Sequence, residues 1–389
     1  MRDDRSGRAG VVIVGGGVVG LAVAWALARR GVRPVVIDRG RTGGEASWAA
    51  AGMLAPVSEV DLEGPAVIEL GLESLCRFPG FVADLEAATG GSCGYRTDGT
   101  LWVALNRDED EEIERLASRM KERSLAARRL LPAEVLEREP HLSGRIVGGL
   151  RVEGDLQVDP RALLGCLEEA VLRDGGEVIR GSVVEVSRAA AGELAVRFHR
   201  EGGESTIVAP KVVLAAGAWT NEGIRLPIDG PGVRPVKGQI VRLRGAKILR
   251  HVIRNPECYI VPREDGELLI GATLEEQGFD TTPTAGAVLD LLRHAWRILP
   301  ALYDMELAEV SVGLRPAVVD NLPVIGESEV EGLYLATGHF RNGILLAPAT
   351  AHYLAEAIAT GVPQTALAPF APDRLLARGS PGPRSMSPF

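Results

Sequence analysis

The 389-residue chain has only four cysteines, Cys76, Cys93, Cys166 and Cys258, and no two of them form a C-x-x-C pair. That scatter fits reduced, packing thiols in a cytoplasmic protein. The six histidines show no H-x-x-x-H spacing and no acidic cluster beside them, so no metal site is expected. No run of Lys or Arg offsets the net charge of −9, which argues against nucleic acid as a partner. No apolar stretch approaches the ~20 residues needed to cross a bilayer. The longest helical one, residues 18–28, stops after 11 residues at Arg29-Arg30. The N-terminal MRDDRSGRAG has no apolar segment behind its charges and does not read as a secretory signal. Internal repeats are also missing.

What is present is enough hydrophobic residue, 46%, to bury a large core, at a length that suggests two domains. A strand over residues 10–14, a glycine turn, a helix from about 18 to 30 and a strand over 34–38 make a βαβ start. The irregular stretch 40–56, rich in Gly, Ala and Ser, reads as a functional loop. A strand is expected over 101–105 and a charged surface helix over 108–123. Asp159 as N-cap, Pro160 at the first helical position and Gly175-Gly176 at the stop define another helix. Strands follow over 183–186, 194–199 and 211–215, then antiparallel strands between 233 and 274 and a helix over 284–299. A strand over 333–336 leads through Gly338 into a last helix ending near Thr360, and the Pro-, Ser- and Arg-rich residues from Pro372 read as frayed.

The first chemical signal is Gly15-Gly16-Gly17-Val18-Val19-Gly20, a G-x-G-x-x-G turn between strand and helix. Gly15 permits the tight turn, Gly17 lets the backbone approach a pyrophosphate, and Gly20 lets the helix pack against the strand. The helix N-terminus offers free N–H groups and the positive dipole end to phosphates. Asp38, 18 residues after Gly20, stands where a carboxylate can bind ribose hydroxyls, with a plain strand-end turn as the rival reading. Arg39 beside it reads most simply as a solvated strand-end charge. The turn serves FAD and NAD alike. Residues 212–217 (VVLAAG) end a strand in small residues, Ala216 and Gly217 among them, as where backbone approaches a dinucleotide, with a buried strand of ordinary packing as the equal rival reading. The string Gly338-His339-Phe340-Arg341-Asn342-Gly343-Ile344-Leu345 opens the last helix, whose dipole would favour the negative charge of a reduced flavin. Pro348 is expected early in that helix, where a missing N–H costs little.

These segments resemble a known family. With Glu45-Ala46-Ser47-Trp48-Ala49-Ala50-Ala51-Gly52-Met53-Leu54, Cys258-Tyr259-Ile260-Val261-Pro262-Arg263 and Gly313-Leu314-Arg315-Pro316, the set is similar to the glycine oxidase family of thiamine biosynthesis. That family lies within the D-amino-acid oxidase superfamily of FAD-dependent oxidoreductases. The resemblance spans roughly residues 10–360, and the A-A-A-G-M and H-F-R-N-G-I-L-L-A-P strings are far more specific than the glycine turn.

The resemblance implies an α/β fold with a discontinuous, Rossmann-like FAD-binding domain, residues 1–85, 155–225 and 312–370. A substrate domain on an antiparallel sheet would comprise 86–154 and 226–311, with 371–389 as a tail. It places Val18, Val19, Asp38 and Arg39 at the adenosine and pyrophosphate. Ala46, Ser47, Ala51, Gly52 and Met53 would line the pyrophosphate and ring, Val183 would meet the adenine, and His339 to Leu345 would flank the flavin. Arg315 and Arg341 would contact an amino-acid substrate, with Tyr259 reaching its carboxylate, because a carboxylate in a dry pocket needs a bidentate, permanently charged partner. Departures from the family pattern are Glu257 where His stands, Leu274 where Met stands, and Asp38-Arg39 where Glu-Ser stands. The first two touch the pocket wall and bear on the preferred substrate.

The implied reaction is oxidation of glycine, sarcosine or small D-amino acids by hydride transfer to non-covalent FAD. The imine would give glyoxylate and ammonia, and oxygen would become hydrogen peroxide. The thiazole synthase of the thiamine pathway is the implied partner, and a homo-oligomer the implied assembly. Rival readings are a D-amino-acid or sarcosine dehydrogenase with another electron acceptor, an NAD-dependent dehydrogenase, and a non-catalytic FAD-binding module.

Overall fold

The computed structural model describes residues 9–60 and 63–376. Strand Val11–Val14 lies at the centre of a six-stranded sheet because every one of its residues is apolar and buried. It pairs in parallel with Pro34–Asp38 on one side and Val212–Leu214 on the other. Glu177–Arg180 extends the first side, while Leu333–Thr337 and then the antiparallel Val324–Glu327 extend the second. The chain order thus reverses across Val11–Val14, which opens a crevice at the carboxyl ends of the strands.

Helix Val18–Ala28 is apolar on nearly every face and is buried between the sheet and helices Pro160–Arg173 and Gly343–Thr360. Asp159 caps the second of these, its side chain accepting from Arg161 N at 2.9 Å, with Pro160 at the first position as expected. A three-stranded antiparallel sheet, Ser182–Arg188, Leu194–Arg200 and Gly203–Ala209, covers the opposite face of the six-stranded sheet.

The second large sheet has eight strands in the order Glu306–Ala317, Arg234–Arg244, Leu268–Gly271, Tyr259–Pro262, Val252–Arg254, Thr100–Ala104, Gly148–Val152 and Arg128–Leu130. All of its pairings are antiparallel except Val252–Arg254 with Thr100–Ala104. One face packs on helix Ala285–Ile298, and the other carries Ile240, Val252, Val261 and Leu269 towards Ala51.

Three features differ from the sequence reading. Helix Pro65–Thr89 was not anticipated; Pro79-Gly80 interrupts it in sequence, yet Phe78, Val82 and Leu85 stay in register in the core. Pro348 sits past the first turn of its helix, and beside it Ser74 Oγ is inserted into the ladder between Ala349 and Leu345, donating to Leu345 O at 2.5 Å and accepting from Ala349 N at 3.2 Å. The tail forms helix Asp373–Leu376, held by Arg374 to Asp320, and its remainder lies outside the described residues. Among the described residues no helix is long and apolar enough to cross a membrane, and no His, Cys, Asp or Glu cluster suits a metal.

Candidate active site

A cavity of about 750 Å³ runs from the glycine turn to the underside of the eight-stranded sheet. At the first end, Gly15 adopts φ +106°, and a Cβ there would fall 2.4 Å from Ala215 O. A Cβ at Gly20 would fall 2.0 Å from Gly15 O. Both glycines are therefore required by the chain itself, and Gly20 lies behind the cavity wall. Gly17 differs: its φ is −71°, and a Cβ would meet only Ser47 Oγ, at 3.5 Å. No described residue needs a glycine at Gly17, so the space in front of it is open to an extended phosphate-bearing group, and the donor set is backbone. Val18 N donates to Ser47 Oγ at 3.1 Å, which ties the 40–56 segment to the helix start.

Asp38 Oδ2 accepts from Gly16 N at 2.7 Å and Oδ1 from Gly40 N at 2.8 Å, so this carboxylate pins the turn while facing the cavity. Arg39 is more than a solvated charge: its guanidinium stacks 3.7 Å over Trp219 and pairs with Glu45 at 2.5 Å. Val19, Ala46, Ala51, Gly52, Met53, Val183, Ala216 and Gly217 line the same space.

At the other end, Arg315 projects from strand Glu306–Ala317 and lies across Gly238 of the paired strand, where a Cβ would come within 2.2 Å of its Nη1. Tyr259 lies across Gly271 in the same way, with 2.3 Å between such a Cβ and the hydroxyl oxygen. Both side chains occupy room that a glycine neighbour leaves. Arg315 donates to Thr273 O at 3.1 Å and Lys237 O at 3.4 Å, both neutral carbonyls. Burial pulls its pKa down, and since a guanidinium does not give up its proton, this registers a desolvated cation seeking an anion. Burial pushes the Tyr259 hydroxyl up to about 12, so it stays protonated and able to donate.

Residues 339–345 close the floor. Phe340 takes φ +49°, a costly conformation for a non-glycine residue, and its N–H donates to Pro316 O at 2.9 Å, tying this loop to the residue after Arg315. His339 is buried, contacts Thr350 Oγ1 at 3.1 Å, and has its pKa lowered to about 4 by burial, so it is neutral. Arg341 donates to Glu63 Oε1 at 2.8 Å, and Asn342 Nδ2 to the same oxygen at 2.7 Å. Gly343, Ile344 and Leu345 present the start of the 18-residue helix to the cavity.

The cavity also contains residues that the sequence reading passed over: Glu59, Arg254, Trp219 and Phe279. Arg254 could have been noticed as a charge ending an otherwise apolar strand, and Glu59 as the first acid after A-A-A-G-M.

The family model described as FAD dependent oxidoreductase (DAO) matches residues 10–357. The chain is 34% identical to the glycine oxidase of Geobacillus kaustophilus, covering 92% of this chain and 95% of that one. The crystal structure of a glycine oxidase from that organism superposes with a TM-score of 0.85, covering 94% and 98% of the two chains. The chain is also 37% identical to the bifunctional protein ThiO/ThiG of Trichormus variabilis over 90% of its own length, while spanning 52% of that relative.

Proposed function

The chain belongs to the DAO family of FAD-dependent oxidoreductases, and from that premise we propose that it oxidises glycine, sarcosine and small D-amino acids. The overall change would be glycine, oxygen and water to glyoxylate, ammonia and hydrogen peroxide. FAD, when bound, would supply the two-electron oxidant for the substrate's α-carbon. Gly17, the first N–H groups of helix Val18–Ala28, and Ser47 to Met53 would hold it at one end, and residues 339–345 at the other. The single observation that carries the substrate reading is Arg315, a desolvated guanidinium on the cavity wall whose hydrogen bonds go to two carbonyls. It would take the amino-acid carboxylate in a bidentate pair, with the protonated Tyr259 adding a donor. His339 is neutral and Tyr259 keeps its proton, so neither serves as a strong base; loss of a hydride rather than a proton from the α-carbon agrees with that.

Glyoxylate imine is the species a thiazole-forming partner would consume, and the ThiO/ThiG relative joins a similar chain to further sequence. The cytoplasmic setting belongs to this proposal as well.

Anaerobic titration of the flavin spectrum tests the reading. Glycine should bleach the flavin, and L-alanine should do so more slowly. Arg315→Ala should keep FAD yet weaken glycine binding by about two orders of magnitude, since bonds to charged groups contribute about 1.5–3 kcal/mol each. Near-normal glycine affinity in that variant would remove Arg315 from the site.

A further inference from the structure

The cavity wall near Tyr259 and Arg315 holds a charge pair that carboxylate binding leaves unused. Glu59, on the turn after strand Met53–Leu54, lines the cavity with its side chain 13% exposed. Its Oε1 accepts from Arg254 Nη1 at 3.1 Å. Its Oε2 stands 3.7 Å from Arg341 Nε, beyond hydrogen-bond reach, and that Nε already donates to Glu63. Arg254 is itself fixed: it is buried, and its guanidinium lies 4.9 Å over Trp102. The Trp102 Nε1 in turn donates to Ser58 Oγ at 2.9 Å, one residue before Glu59. The carboxylate is thus held in place through one oxygen while the other keeps lone pairs for a donor.

We propose that Glu59 recognises the amino nitrogen of the substrate. The proposal rests on the reading that Arg315 holds the substrate carboxylate. In an α-amino acid the nitrogen is bonded to the carbon next to that carboxylate, so clamping one group confines the other to a few ångströms. Glu59 is paired with Arg254, whose cross-strand partner is Tyr259, and Glu59, Tyr259 and Arg315 line the same cavity. The other acids on the cavity wall include Asp38, bonded to the glycine turn, and Glu45, paired with Arg39. An amine N–H would complete the acceptor set of Glu59. An acid without an amine would instead set a methyl group there and bring two carboxylates together across it. The site therefore prefers amino acids to simple carboxylic acids, through one attractive and one repulsive element.

The test uses the FAD-loaded enzyme and Glu59→Gln, with acetate and glycine as probes. Acetate, which carries the carboxylate but no amine, is titrated against the flavin spectrum, and glycine affinity is taken from the concentration dependence of anaerobic flavin reduction. Glycine should bind about ten- to hundredfold more weakly in the variant, while acetate binds as well as before or tighter. A structural role alone would weaken both together, and that result, or unchanged glycine affinity, overturns the proposal. Because Glu59→Gln strands Arg254 without its anion, the double variant Glu59→Gln/Arg254→Met removes the whole pair and should show the same opposed shifts. If the unaltered enzyme binds no acetate, or Arg315→Ala binds it equally well, the carboxylate clamp falls and the proposal with it. A glycine-to-acetate preference unchanged in both variants removes Glu59 alone.

Discussion

The two ends of the cavity are built from different materials. The glycine-turn end is made of backbone: the N–H groups of a helix start, an empty position at Gly17, and small residues from Ala46 to Met53. The sheet end is made of side chains, with Arg315, Tyr259, Arg254 and Glu59 arriving from separate stretches of chain. A diphosphate has no side-chain chemistry to discriminate and needs only donors and clearance. A small amino acid offers few atoms, so each must be met by a polar or charged group at a fixed place.

The largest expected effect tests the backbone end. Gly17→Val should fold, since φ −71° suits any residue and the new Cβ meets only Ser47 Oγ at 3.5 Å, yet the purified protein should be colourless. Gly20→Val, whose Cβ would strike backbone at 2.0 Å, should fail to fold instead. A yellow Gly17→Val protein would place the diphosphate elsewhere. At the sheet end, Tyr259→Phe should retain its flavin and weaken glycine binding by about tenfold to a hundredfold, one charge-assisted bond. Its effect should be less than additive with Arg315→Ala, because both would hold one carboxylate; strict additivity in anaerobic titrations would separate them.

Gly238→Ala is a finer test. Its Cβ would stand 2.2 Å from Arg315 Nη1, the tip of a movable side chain, so the guanidinium should shift without loss of the fold. Glycine affinity should fall about tenfold, the worth of one such bond, with melting temperature and flavin content little changed.

The smallest effect is in the acid response. His339, lowered to about 4 from 6.5 by burial, stays neutral inside while the unfolded chain takes a proton, so stability is lost as pH falls through that window. Asp155, raised by burial from 3.8 to about 6, takes its proton first in the folded state, so stability is gained as pH falls from about 6 to 3.8. Each effect is about 3 kcal/mol at most and they oppose. Asp155→Asn removes the gain, and its melting temperature should fall more steeply than the parent's between pH 6 and 4. Parallel curves would show that Asp155 does not titrate there.

This contrast also explains what was legible beforehand. Gly15, Gly17 and Gly20 are adjacent in sequence because a turn is local, and the capped helix after Asp159 announces itself within a few residues. Arg315 and Tyr259 could be singled out only because recognisable strings surround them. Glu59 and Arg254 belong to no string; their pairing spans 195 residues and exists only once the sheet has formed. Helix Pro65–Thr89 was hidden for another reason, since Pro79 breaks its local pattern while packing keeps it whole.

The central position of strand Val11–Val14 has a consequence for how the molecule is made. Its partner Val212–Leu214, and the strand Leu333–Thr337 beyond, lie some 200 and 320 residues later in the chain. At about 5–20 residues per second, the second of these leaves the ribosome roughly 15–60 s after the first strand. Val11–Val14 keeps an open edge until Val212–Leu214 arrives, and Val212–Leu214 then keeps one until Leu333–Thr337 arrives. The cavity is therefore among the last parts to be completed during synthesis, and a chain stopped before residue 333 would leave the edge of strand Val212–Leu214 open.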